Sequence, residues 1–314
     1  MKTLPILSAL LLSPLAVVNA QSPAKTGWVT SAVHAPRVEF RMFDSAAAKT
    51  KVSYHIYTPE IYDTEKERRF PVLYWLHGIG GSQQGMPRMC DQFTKAIAQG
   101  KMPPIIVVFV NGMTDSFYCD AINAARPVET VIIKELIPHI DATFRTFARR
   151  EGRMIEGFSM GGYGAGHLGF KYPELFGAVS MIDGALVDLG TIKHRHGELF
   201  QRIFDSNEEN FTAAHPLTLV EKNVAQIKGR TLIRQAVGKL VQPNTVMHEQ
   251  LNRLRIAHDY HVFEGVGHNL AAIYERLGEK NWEFYAKAFG ASSTSSKVSE
   301  PSKSKPTLQT SAPH

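Results

Sequence analysis

Ile155–His167 reads IEGFSMGGYGAGH, with one serine, Ser159, set among glycines directly after a short apolar run. An ordinary turn is served by one glycine or one asparagine, so this many mark a place where backbone must pass close to backbone. Ahead of the serine, RMIEGF has the character of a buried strand, and behind it MGGYGAGHLGFKYP reads as a helix stopped by Pro173. A serine between a strand and a helix sits on a sharp, strained turn that holds its hydroxyl in the open. Side chains two residues before and after it would collide with the crossing chain, and Gly157 and Gly161 remove them. Gly162, Gly164 and Gly166 are expected to let the helix lie close to the sheet, with its positive N-terminal end near the serine. Ser159 is thereby the candidate nucleophile.

Outward from this stretch, strand and helix patterns alternate. Val38–Phe43 and Lys51–Tyr57 alternate as strands, FPVLYWLHG is an apolar strand ending in glycine, and PPIIVVFVNG is a continuous run suited to a strand buried on both faces. FGAVSMIDGAL, RTLIRQAVG and HDYHVFEGVG supply three more strands. Helices are expected at Asp91–Gln99, Pro127–Phe147, Val220–Gln226, Thr245–Arg255 and Leu270–Ala288. This order predicts an α/β fold: a mostly parallel sheet with helices on both faces.

A serine that attacks a carbonyl needs donors for the oxyanion and a base for its proton. LHGIGGS, Leu76–Ser82, lies at the end of an upstream strand, and its backbone is placed to supply one donor beside the N–H after the nucleophile. The oxyanion donors are assigned to the Ile79 and Met160 N–H groups. Of the 13 histidines, His268 follows the last strand by a Gly-x-Gly turn and precedes the final helix, which marks it as the base. His194-Arg195-His196 has no spaced carboxylate or cysteine and reads as a solvated helix start; His248-Glu249 lacks the second histidine of a zinc protease. Neither a metal nor an organic cofactor is expected.

The chain opens MKTLPILSALLLSPLAVVNA, a lysine, an apolar run and a small-residue cleavage pattern, so residues 1–20 read as a secretory signal peptide. Residues 21–290 form the expected domain, and the Ser-, Pro- and Lys-rich segment 291–314 reads as a disordered tail. The protein is therefore expected to be secreted or periplasmic, with no stable membrane insertion after signal cleavage. The net charge of +6 is scattered rather than arranged with aromatics in a stripe, which argues against nucleic acid as a partner. Cys90 and Cys119 are too few for a disulfide scaffold; export favours their pairing, and the sequence leaves open whether they approach closely enough.

WLHGIGGS, VNGMTDSFYCD, VIIKELIPHID, IEGFSMGGYGAGHLGFKYPELFGAVSMIDGAL and VGHN together resemble the putative-esterase branch of the α/β-hydrolases, over Lys51 to Phe289. That branch includes esterase D, feruloyl and acetyl-xylan esterases and the mycolyltransferases. The resemblance implies an α/β-hydrolase fold, Ser159 as nucleophile, His268 as base, and Ile79 and Met160 as oxyanion donors. It fails at the third member of the triad. The family's acid usually follows the strand that here is TLIRQAVG, but this chain continues GKLVQPNTVMHEQL, with no carboxylate before Glu249. Asp183, at the end of the preceding strand AVSMIDGAL, is the candidate replacement, with Asp188 or no acid at all as the alternatives. The expected function is an exported serine carboxylic-ester hydrolase working through an acyl-enzyme on a small-molecule or carbohydrate ester, such as acetyl or feruloyl groups. The alternatives are a degenerate fold that binds a glycan or partner without turnover, and an acyltransferase to sugar.

Overall fold

The computed structural model describes residues 27–81 and 85–293. The segment 1–20 expected to be a signal peptide, and all of the expected tail 291–314 beyond residue 293, lie outside the described residues. Eight strands form one sheet in the order β1-β2-β4-β3-β5-β6-β7-β8. β1 (Val38–Ser45) and β2 (Thr50–Tyr57) make an antiparallel hairpin, and β2 runs antiparallel to β4 (Ile106–Val110). β3 (Val72–Leu76), β5 (Arg153–Phe158), β6 (Ala178–Ile182), β7 (Leu232–Val237) and β8 (Asp259–Val262) are parallel to β4 and to one another. The predicted mostly parallel sheet is therefore present.

Each central strand divides its side chains between two cores by the period-two rule. Tyr74 and Leu76 of β3 and Val108 of β4 enter one core, while Leu73, Trp75, Val107 and Phe109 enter the other. The first core lies under the helix Met160–Lys171 and the helical run 128–143; the second lies under Met86–Ala98, Leu270–Leu277 and Glu279–Ser293. The chain order reverses around β3, β4 and β5, and in such sheets the crevice at the carboxyl ends of these strands is where a ligand site forms. Leu76 pairs with Gly157, Phe158 with Ile182 and Ile182 with Ala236, which sets the tips of β3, β5, β6 and β7 side by side.

Several boundaries differ from expectation for identifiable reasons. The final helix breaks at Gly278, whose φ of 51° lies outside helical space, giving Leu270–Leu277 and Glu279–Ser293. Between β6 and β7 lie three further short helices that the sequence pattern did not indicate, Leu189–Arg195, Gly197–Phe204 and Glu208–Ala214. His194-Arg195-His196 lies at the junction of two of them: His194 and Arg195 end the first, with the Arg195 cation at the negative end of its dipole, and His196 is also the residue that precedes the second. Among the described residues no helix is long and apolar enough to cross a membrane.

An ion pair is buried where the second core meets the sheet. Arg234 on β7 donates from Nη2 to Glu156 on β5 at 2.6 Å, from Nε to Ser180 Oγ at 3.0 Å and from Nη1 to Asn281 Oδ1 at 2.9 Å. The Tyr274 and Tyr285 hydroxyls both donate to Glu156 Oε1, at 2.5 and 2.6 Å. A buried ion pair is tolerated only when its hydrogen-bonding groups are satisfied in this way. The network fastens the last two helices, and the loop that precedes them, to the sheet.

Cys90 and Cys119 are both buried and unpaired. Cys90 belongs to the second core and Cys119 to the first, so the sheet stands between them and the pairing that export would favour does not form. Burial also pushes the Cys90 thiol up to about 12. Thiol titration of the denatured, unreduced protein should therefore find two reactive groups; a reading near zero would show that the cysteines are bridged.

Candidate active site

β5 ends at Phe158 and the next helix begins at Met160, so Ser159 alone makes the turn, with φ 59° and ψ −117°. A non-glycine residue at positive φ is strained, and flanking bonds hold it there. Ser159 N–H donates to Ile182 O at 3.0 Å, and Ala185 N–H donates to Ser159 O at 2.9 Å, both from the end of β6. A Cβ at Gly161 would fall under 3.0 Å from Leu76 O, and one at Gly157 equally close to the Gly161 backbone. The two glycines thus make the crossing possible. Of the other three, Gly162 abuts Gly184 in the β6 turn and Gly166 abuts Met181 and Pro216, whereas Gly164 makes room for the Tyr118 ring rather than for the sheet.

His268 arrives from the loop after β8. Gly265 and Gly267, at φ 73° and 74°, make the tight turn that precedes it, and Asn269 Oδ1 caps the following helix by accepting the Ala272 N–H. The imidazole stacks on Phe158 with ring centroids 4.5 Å apart. Its Nδ1 lies 2.6 Å from Asp183 Oδ2 and its Nε2 lies 2.8 Å from Ser159 Oγ. A carboxylate can only accept, so Nδ1 carries the proton and the Ser159 hydroxyl donates to the bare Nε2. The structure thus brings Ser159, His268 and Asp183 into one hydrogen-bonded chain.

Asp183 stands at the end of β6, fully buried, with φ 42°. Its Oδ1 accepts the Gly238 and Leu240 N–H groups at 3.0 and 2.9 Å, and its Oδ2 accepts the Lys239 N–H at 3.2 Å beside His268. Burial works to raise its pKa, but the His268 hydrogen bond and these backbone donors outweigh it and hold the carboxyl below its ordinary value. The donors belong to GKL, the segment after β7 in which no carboxylate stands. Asp188 is elsewhere engaged: it caps the helix Leu189–Arg195 by accepting the Thr191 N–H at 2.6 Å. Glu249 is an exposed residue of the helix Val241–Arg253.

Met160 opens its helix, where a backbone N–H has no intrahelical acceptor. Gly78 lies against the nucleophile: a Cβ built on it would be 3.3 Å from Ser159 Cβ. The loop beyond is held by Gly80 N–H to Thr114 O at 2.7 Å and Gly81 N–H to Gly78 O at 3.3 Å, neither of which uses the Ile79 N–H. A cavity of about 510 Å³ opens beside His268, with Gly78, Ile79, Trp75, Phe158 and Met89 among its walls. The site thus offers a hydroxyl hydrogen-bonded to an imidazole and a buried carboxylate behind that imidazole, with Gly78 packed against Ser159. Sequence reasoning missed His77, which is buried beside this loop; the His-Gly pair at the end of β3 was its signal.

A family model described as putative esterase matches residues 45–293. An esterase of Mycobacterium tuberculosis is 33% identical over 165 residues, 51% of this chain and 35% of that protein. The endo-1,4-beta-xylanase/feruloyl esterase of Xylanibacter ruminicola is 37% identical over 124 residues, 38% of this chain and 17% of its own length. The chain thus spans only about a third or less of these curated relatives. The solved structure of a ferulic acid esterase superposes with a TM-score of 0.68 at 22% identity, covering 80% of this chain and 98% of its own. That last likeness is one of fold, the α/β-hydrolase fold.

The space around the turn is testable without any substrate. Gly161→Ala should lower unfolding stability by about 3 kcal/mol or prevent folding, because the methyl meets backbone that cannot move aside. Gly197→Ala, at a helix start with nothing within 4 Å, should be neutral in the same thermal or urea melt. Equal stability of the two variants would refute the packing argument.

Proposed function

This chain belongs to the putative esterase family, and we propose that it hydrolyses carboxylic esters through a covalent acyl-enzyme on Ser159. The observation that carries the proposal is the chain of hydrogen bonds from Asp183 through His268 to Ser159, at 2.6 and 2.8 Å. Ser159 Oγ attacks the ester carbonyl carbon as His268 Nε2 takes its proton. The carbonyl oxygen becomes an oxyanion between the Met160 and Ile79 N–H groups, and Asp183 stabilises the imidazolium. Collapse breaks the C–O bond to the alcohol, which leaves with the proton from Nε2. Water then attacks the acyl-serine, giving its proton to His268, and the acid departs as Ser159 recovers its hydrogen.

The binding-only reading arose from the missing acid after β7, and Asp183 supplies a carboxylate from β6 instead. On the substrate side, the likeness to a xylanase/feruloyl esterase and to a ferulic acid esterase supports feruloyl esters of carbohydrate. The leader at 1–20 supports action outside the cytoplasm.

Ser159→Ala should abolish ester turnover while the protein still folds. In Asp183→Asn, Oδ1 can keep two of its backbone donors, but an NH₂ now faces His268 and the Lys239 N–H. The imidazole is driven to the wrong tautomer, and kcat should fall by about 10³ to 10⁴ with KM little changed. Asp188→Asn and Glu249→Gln should hydrolyse a nitrophenyl ester at close to the wild-type rate. An Asp183→Asn enzyme within about threefold of wild type, roughly 0.7 kcal/mol, would remove Asp183 from the mechanism.

A further inference from the structure

His77 ends β3's extension into the oxyanion loop and is 4% exposed. Both ring nitrogens are engaged, in opposite senses. Gly112 N–H donates to Nε2 at 3.2 Å, so Nε2 is the bare nitrogen and the ring proton sits on Nδ1. Nδ1–H in turn donates to Gly78 O at 2.7 Å. Burial lowers the His77 pKa, which keeps this neutral tautomer in place. The backbone here is also clamped, since the buried Tyr118 hydroxyl donates to His77 O at 3.0 Å and the two rings lie 5.8 Å apart.

The peptide that matters joins Gly78 to Ile79. It is trans, so its C=O and N–H point in opposite directions across one plane. A carbonyl held by the His77 ring therefore turns the Ile79 N–H away from that ring. Gly78 has no side chain to resist rotation of this peptide, and among the described residues only the longer Gly81 N–H contact, at 3.3 Å, holds its oxygen besides His77. Were the peptide to flip, a carbonyl oxygen would replace the donor, and its partial negative charge would repel an oxyanion.

We propose that His77 is a positioning residue for the oxyanion hole: its Nδ1–H pins Gly78 O and so keeps the Ile79 N–H presented to the oxyanion. The inference rests on the reading of Ser159 as nucleophile. It assigns His77 no contact with substrate and no proton transfer, and its effect falls on the transition state alone.

The two conservative amides separate this role from simple packing. An asparagine amide nitrogen occupies the place of Nδ1, whereas a glutamine amide reaches the place of Nε2. His77→Asn should keep the bond to Gly78 O and hold kcat within about tenfold of wild type, the loss of one oxyanion donor being worth about 10² to 10³. His77→Gln keeps an acceptor for Gly112 N–H but not the donor to Gly78, and its kcat should fall by about 10² with KM within about threefold. Affinity for a boronic acid that forms a tetrahedral adduct should fall in parallel with kcat, while the melting temperatures of the two variants stay alike. Equal impairment of the two variants, a loss confined to KM, or a glutamine enzyme within about threefold of wild type would overturn the proposal. If the glutamine variant does not fold, a folded His77→Asn enzyme decides alone: retained kcat supports the role, and a fall of about 10² contradicts it. Turnover surviving in Ser159→Ala would instead sink the serine reading, whatever His77 does.

Discussion

The carboxylate of Asp183 ties three strand ends together. It projects from the end of β6, takes three N–H groups from the segment after β7, and holds His268 from the loop after β8. Taking a carboxylate out of water costs several kcal/mol. Hydrogen bonds to a charged group return about 1.5 to 3 kcal/mol each, so the buried anion is sustained only while this set is complete. The same bonds keep the acid ionised, the state that holds the imidazole tautomer and stabilises an imidazolium. In the proposed mechanism the acid comes from the end of β6, and the turn after β7, which carries no carboxylate, supplies its donors.

The rest of the molecule brings those groups to one place. The register across β3, β5, β6 and β7 sets the tips level, and Gly157 and Gly161 let the helix after Ser159 cross the end of β3 at backbone distance. On the opposite face, the Arg234–Glu156 pair and the Tyr274 and Tyr285 hydroxyls anchor the helices that follow His268. His268 is thus held from behind by Asp183, from one side by Phe158, and along the chain by anchored helices. This leaves little freedom at the hydroxyl, which suits a reaction in which misplacement of about 1 Å costs 10²-fold in rate.

Much of this was legible in the sequence because it rests on strong local signals. Period-two and continuous apolar runs marked the strands, and Gly157 and Gly161 on either side of Ser159 marked a crowded strand-to-helix turn. His268 was legible from its Gly-x-Gly turn, and the structure places it on Ser159. The acid stayed open among Asp183, Asp188 and none, because its partners are backbone N–H groups more than fifty residues away, which leave no mark on side-chain composition. The helices Leu189–Arg195, Gly197–Phe204 and Glu208–Ala214 were missed because helices this short show too few periodic positions, and tertiary packing of Phe200, Phe204 and Phe211 stabilises them. The cysteine pairing failed for a topological reason, since compartment says nothing about which face of a sheet each thiol occupies.

The central claim is that Ser159 is made nucleophilic by His268 with Asp183 behind it. Labelling with a fluorophosphonate, followed by peptide mapping, tests it most directly, because the reagent reacts only with an activated hydroxyl. The account predicts one adduct, on Ser159, and labelling slowed by at least about 10² in Asp183→Asn. An adduct on another residue, or an unchanged labelling rate in that variant, would contradict it.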